Sequence, residues 1–513
     1  MNIHRLIRPL AVAALTVAAI GWSGPAGGAE APRVLTVDAP GNPDFLDSAL
    51  ADEPSSWQIL AATNDGLLML RQSAGGAGLE AVPDLAEALP VVSDGGRTLT
   101  FRVRSGVRFS DPVDREVRPS DVKASIERIF RLSSRGASYY GSIVGADVLT
   151  RTRTGGLAGV VADDTAGTVV VRLTRPDPSI LTALAMPFAD VMPKETPAVD
   201  QSVEPPVATG PYRVTSYDPN RQIVLERNTG FRQWTPDRPD GVADRIVVRL
   251  GVTGADAIAD IQSGRADLTQ SPLTPAQLTA AQRAGVRVAI GPAAATDAIA
   301  VTAVGAPLTD PRVRTAIARA VDRRRLIGAA ADRAWATVHL LPGAATGQAS
   351  PPPRVASARA LVSAAGATGA AVDVIARSGR REQRLTAELA AELRRIGLVP
   401  NLRLLSGPEY ARAAATGAVG LRYVRLAPTL PDPAGYVSVG RPATADLSRL
   451  AARAAATYDP AARWAAWRRV DAALYRAKDN GRNQVLLADQ PEEEAPDLEP
   501  RRTRAAESPA TLT

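Results

Sequence analysis

The stretch Pro307–Ala329, PLTDPRVRTAIARAVDRRRLIGA, decides how the rest of the chain is read. Asp310 is a good helix N-cap, and Pro311 follows at the first helical position, where its missing N–H costs nothing. Val313, Ala316, Ile317, Ala320 and Val321 recur at spacings of three and four, so one face of the helix is apolar. Asp322 offers a second cap, for a short helix carrying Leu326 and Ile327. The pattern predicts a capped helix pair, a common arrangement in itself.

Length and composition bound what surrounds it. A chain of 513 residues has room for two or three domains with real cores. Hydrophobic and charged contents of 45% and 22% are ordinary for a globular protein. The net charge of +7 raises the question of nucleic acid. Lysine, however, occurs only at 123, 194 and 478, and the arginines are scattered without a basic block interleaved with aromatics. No nucleic-acid partner is expected. Cysteine is absent, which excludes disulfides, thiolate metal sites and cysteine nucleophiles. The histidines are His4 and His339, so neither a zinc site nor a Ser-His-Asp triad has much to rest on. No metal or other cofactor is expected.

The N-terminus reads as an export signal over residues 1–31. His4, Arg5 and Arg8 give a polar, basic start, Leu10–Trp22 is apolar, and small residues from Gly24 to Ala31 offer a cleavage site. The apolar run is short for a membrane span. The expected mature protein is exported, at the cell surface, periplasmic or secreted, and not lipidated through cysteine.

Downstream, strand and helix patterns alternate. Arg33–Val37 reads as a strand, and Ser55-Ser56-Trp57 leads into a helix through Leu60 and Leu67. After the turn at Ser93–Gly96, Leu99, Phe101 and Val103 alternate with polar residues in a half-buried strand. Ser120 is expected to cap a helix with the stripe Val122, Ile126, Ile129 and Phe130. Strands are expected through Val214, through Ile223–Leu225 and over Ala243–Leu250, with a helix from Ala255. Beyond the opening pair come a helix at 356–365, a strand at 372–376, a helix at 384–396 and strands at 399–405 and 421–426. Such alternation argues for α/β layers.

In detail, Asp310–Arg323 resembles the D-x-R-V-R-x-A-x-x-x-A-I-D-R segment of extracytoplasmic solute-binding proteins of the peptide, dipeptide and nickel class (family 5). In that family the segment opens the second lobe. Further pieces follow the family's order: Asp65-Gly66-Leu67, Pro83-Asp84-Leu85-Ala86-Glu87 with the strand through Phe101, Thr209-Gly210-Pro211-Tyr212, and Ala255–Asp267. The resemblance covers roughly residues 33–470. It implies an α/β, two-lobed periplasmic-binding-protein-like fold (type II, cluster C) with an extra subdomain inserted in the first lobe. The implied layout is lobe I at 32–65 and 200–295, the inserted subdomain at 66–199, lobe II at 296–440, a return to lobe I or C-terminal helix at 441–485, and a disordered tail from 486. It also implies a monomer that delivers a small-molecule or peptide ligand to an ABC permease complex.

The residues of a binding site follow from the same resemblance. In the family, W-x-x-D-x-x-D-P-x-x-F carries an Asp that pairs with the ligand's amino terminus. The corresponding stretch is Leu426–Tyr436, which keeps Asp432-Pro433 and the aromatic Tyr436 but has Thr429 in place of the amine-pairing Asp. The loop reads equally well as purely structural. Trp57, Thr209 and Tyr212 are cleft candidates by family position, with turn or core roles as their alternatives.

No catalytic constellation is present: the sequence has no P-loop, no G-x-S-x-G elbow and no H-E-x-x-H. An extracytoplasmic hydrolase is therefore disfavoured. Asp471–Asn483 resembles the closing motif of GGDEF-type diguanylate cyclases, yet the GG[DE]EF loop is missing, which counts against a signalling role. A degenerate binding protein that no longer captures ligand stays open.

Overall fold

The computed structural model describes residues 32–71, 79–204, 207–289, 295–302, 305–330, 340–341, 351–415, 420–428, 430–437 and 445–479. The leader, His339, Thr429 and the tail from 480 lie outside them.

The first sheet has five strands, in the order Leu268–Thr269, Val34–Ala39, Arg245–Leu250, Gln222–Arg227, Tyr212–Asp218. Val34–Ala39 runs parallel to its two neighbours, and the last two joins are antiparallel hairpin-type pairs. Alternation on these strands buries Val37, Val214, Ile223, Leu225 and Val248 against Ile59 of the opening helix Pro54–Thr63. This is lobe I.

Between its first strand and Tyr212 the chain builds a separate body. Val91–Ser93, Thr98–Arg102, Thr168–Arg172 and Val160–Asp163 form an antiparallel sheet in that order. Leu99, Phe101, Val169 and Val171 face the stripe Val122, Ile126, Ile129 and Phe130 of the helix Pro119–Arg131. Each such side chain contributes about 1.5–3 kcal/mol by leaving water. The cap differs from the expected Ser120. Pro119 occupies the first turn, Arg118 is the N-cap, and Asp121 accepts the Arg118 amide at 2.8 Å. Ser120 instead gives its amide and hydroxyl to Asp164, both at 2.8 Å. A buried ion pair ties the body to lobe I: Arg128 Nη1 donates to Asp47 Oδ1 at 2.6 Å, and Arg128 Nη2 to the Val199 carbonyl at 2.6 Å.

Lobe II holds the second large sheet, ordered Thr296–Val301, Leu421–Leu426, Ala371–Arg377, Val399–Leu405. The first pair is antiparallel, and the others are parallel as crossover connections require. The opening segment behaves as its sequence predicts. Asp310 Oδ1 accepts the Arg312 amide at 2.7 Å, the helix runs Pro311–Ala320, and Val313, Ala316, Ile317 and Ala320 are buried. Asp322 Oδ1 accepts the Arg324 amide at 3.0 Å and starts the helix Arg323–Ala330.

The C-terminal segment contains the expected C-terminal helix, and its described residues pack on residues 341 and 436–437 rather than on the first sheet. Ala445–Ala455 and Pro460–Asp479 form a helical hairpin. Trp467, Val470 and Leu474 share a core with Leu341, Tyr436 and Val437, so burying this stripe fastens the hairpin to lobe II. Asp471, inside the GGDEF-like stretch, accepts the Leu340 amide at 3.0 Å. Residues 480–483 of that stretch lie outside the described residues.

Candidate ligand-binding cleft

The sequence candidates fall into two groups, one on each lobe. On lobe I, Trp57 lies half-buried on the opening helix, where its indole N–H donates to the Ala51 carbonyl at 2.9 Å. Its ring meets Phe188 edge-on, with centroids 6.2 Å apart. Thr209 is buried, and its hydroxyl donates to Asp65 Oδ2 at 2.6 Å. Tyr212 is buried as well; its hydroxyl donates to the Ala243 carbonyl at 3.0 Å and accepts the Ala243 amide at 3.1 Å. Gly241 leaves room for that ring, since a Cβ there would collide with it.

Around Thr209 the polar groups form a buried network. Arg238 Nε lies 2.6 Å from Asp65 Oδ1, and Arg238 Nη2 donates to the Asn64 carbonyl at 3.1 Å. Asp84 accepts the Trp234 indole N–H at 3.0 Å. Burial, and then the nearby Asp65 carboxylate, pushes the Asp84 carboxyl well above the ordinary range. Burial also raises Asp190, with Asp65 and Asp84 adding to it. One guanidinium thus serves three carboxyl groups, and in such a site protonation relieves the like-charge repulsion.

On lobe II, Asp432 precedes the short helix Pro433–Val437 and caps it, Oδ1 accepting the Ala434 amide at 2.9 Å. Both its oxygens are held by Arg463 from the hairpin: Nε donates to Oδ2 at 2.7 Å and Nη2 to Oδ1 at 2.8 Å. Both partners are buried. Tyr436 is fully buried beside Trp464, with ring centroids 6.4 Å apart. Thr429 lies outside the described residues.

The inserted subdomain and the C-terminal part of the chain meet at a small crevice of about 10 Å³, whose walls include Leu181 and Thr182 on one side and Pro433, Tyr458 and Trp464 on the other, and which none of the six sequence candidates lines. Thr182 Oγ1 lies 3.5 Å from Asp432 Oδ2 across it. The sequence reading missed Arg238 and Arg463, the two cations that neutralise Asp65 and Asp432. The available signal at Arg463 is a cation embedded beside Trp464 and Trp467 on one helix. Among the described residues no cluster of His, Cys, Asp and Glu is arranged to hold a metal ion, and no helix is long and apolar enough to cross a membrane.

Against this geometry stand the likenesses to known proteins. The profile of bacterial extracellular solute-binding proteins, family 5 Middle, matches residues 80–444. The peptide transport periplasmic protein SapA of Salmonella typhimurium is 28% identical over 267 residues, which are 48% of this chain and 45% of that protein. The chain therefore spans about half the length of the curated relatives it matches. Among solved structures, clavulanic acid biosynthesis oligopeptide binding protein 2 superposes with a TM-score of 0.70 at 24% identity, covering 88% of this chain and 89% of the other. The unliganded open form of the murein tripeptide binding protein MppA gives a TM-score of 0.74 at 19% identity, covering 88% and 91%. Both structural likenesses speak to the fold, the two-lobed type II arrangement described above. With the profile matching well over half of its length, the chain belongs to the bacterial extracellular solute-binding proteins of family 5.

Proposed function

We propose that the protein captures a solute between lobe I with its inserted subdomain and lobe II, outside the cytoplasm, and delivers it to an ABC importer without covalent chemistry. The observation that supports this reading is a pair of separately cored sheets, one in each lobe, in a chain of this family. Ligand sites favour such junctions between rigid bodies. SapA is named a peptide transport protein, which makes a peptide-class solute the first class to test. Export with removal of residues 1 to about 31, a monomeric state and an ABC permease partner belong to the same proposal.

The ligand's charge is the second part of it. The Asp432 carboxylate is spent on Arg463 and on capping its own helix. Thr429 offers a hydroxyl where the family resemblance implies an acid, and a hydroxyl cannot neutralise a desolvated ammonium. Free peptides should bind weakly through this loop, and a neutral or differently charged solute better. Calorimetry with a peptide panel, free and N-acetylated, tests this. Equal or stronger binding of the acetylated set is the expected result. Submicromolar binding that requires a free α-amino group would overturn the charge argument, and no binding of any small solute would overturn the function.

A further inference from the structure

The C-terminal hairpin shares its core with Leu341, Tyr436 and Val437, yet it also reaches the inserted subdomain, where Tyr458 packs against that subdomain's core and makes polar contacts. Tyr458, between the two helices, sits in a notch of that subdomain. Its hydroxyl donates to the Gly96 carbonyl and accepts the Asp177 amide at 2.9 Å. Burial raises the phenol above its ordinary pKa, so the hydroxyl keeps the proton it donates. Gly96 has φ +89°, a left-handed conformation that side chains rarely adopt. A Cβ on Gly96 would come within 3.0 Å of Tyr458 Cε2 and 3.2 Å of Pro176 Cβ, so the notch depends on a glycine. Nearby, the Trp464 indole N–H reaches the Leu79 carbonyl at 3.3 Å.

We propose that Tyr458 in the Gly96–Asp177 notch is a clasp that sets the separation between lobe II and the inserted subdomain, and that its release lets the two bodies move. The inserted subdomain and the hairpin have cores of their own, and a crevice of about 10 Å³ remains between them. Bodies with separate cores separate at lower cost than either body unfolds. A clasp that favours one arrangement changes apparent ligand affinity by the factor by which it changes the binding-competent population.

The chain has no cysteine, so spin labels can be placed at will. Val148 on the inserted subdomain and Val399 on lobe II are 49% and 52% exposed and suit substitution to cysteine. Pulsed dipolar spectroscopy on the doubly labelled full chain should give one dominant distance. In that background, Tyr458→Phe removes both hydrogen bonds and should shift the ratio of clasped to separated molecules on the order of tenfold. A second, broader distance population is then expected. Gly96→Ala should do the same by filling the notch. Deuterium uptake at the Asp177 amide should rise in both variants, while far-UV circular dichroism stays unchanged. Superimposable distance distributions in native and folded variant proteins would overturn the proposal. So would global unfolding of both variants, because a clasp is dispensable to either core.

Discussion

Arg463→Met should destabilise the C-terminal hairpin by about 3–5 kcal/mol, the usual cost of removing one partner from a buried ion pair. The pair is bidentate, at 2.7 and 2.8 Å, and its side chains are only 6% and 4% exposed, so water cannot take over the lost contacts. Methionine fills much the same volume, so the loss is electrostatic rather than a cavity effect. Arg463 Nη1 also donates to the Ala454, Ala455 and Thr457 carbonyls at 3.2, 3.0 and 3.4 Å, and the substitution leaves those groups without their charged donor. Asp432→Asn placed on top of Arg463→Met removes the stranded charge and should recover about 2 kcal/mol, a portion of that penalty. Urea unfolding followed by tryptophan fluorescence would read both variants. Because the chain has several cores, each transition is assigned by deuterium exchange in the hairpin before a free energy is extracted. A single-variant loss below about 1 kcal/mol, or strict additivity of the two substitutions, would refute the claim that these groups neutralise each other.

Other outcomes follow from the same geometry. Asp84 binds its proton more tightly in the fold than in the unfolded chain, so its contribution is full below the unfolded carboxylate range and is lost as pH rises through its raised value. Its share of native stability in that window should fall by about 1.4 kcal/mol per pH unit, alongside that of Asp190, and Asp84→Asn should reduce the slope in a pH series of melts. Phe101→Ala, at the centre of the inserted subdomain, should cost about 3–5 kcal/mol by calorimetry. Asp310→Ala removes a cap that bonds the Arg312 amide and should cost about 1 kcal/mol in denaturant unfolding. N-terminal sequencing of the exported protein should begin near residue 31 rather than at Met1.

The fold was legible where the deciding signals are local. Asp310-Pro311 announces a helix start, the spacing of Val313 to Ala320 announces its buried face, and alternation through Leu99 and Phe101 announces a half-buried strand. Ser120 misled because a proline just before it moves the cap back by two residues, and Asp121, the residue that closes the first turn, was the better signal. The candidate site was less legible because its partners are distant in sequence. Thr209 meets Asp65 across 144 residues, and Asp432 meets Arg463 across 31. A local motif names the carboxylate but not the cation that occupies it. The hairpin's attachment to lobe II was hidden for the same reason: its stripe of Trp467, Val470 and Leu474 shows that a face is buried, without showing against what.

Capture of a solute outside the cytoplasm is tested most directly by mass spectrometry of whatever the purified, exported protein carries. The protein would be isolated under native conditions, then denatured to release its contents. The account predicts one organic solute in near-stoichiometric amount, with any nickel present only inside an organic chelate. A protein that emerges empty, and stays empty after incubation with a mixed small-molecule extract, would contradict it.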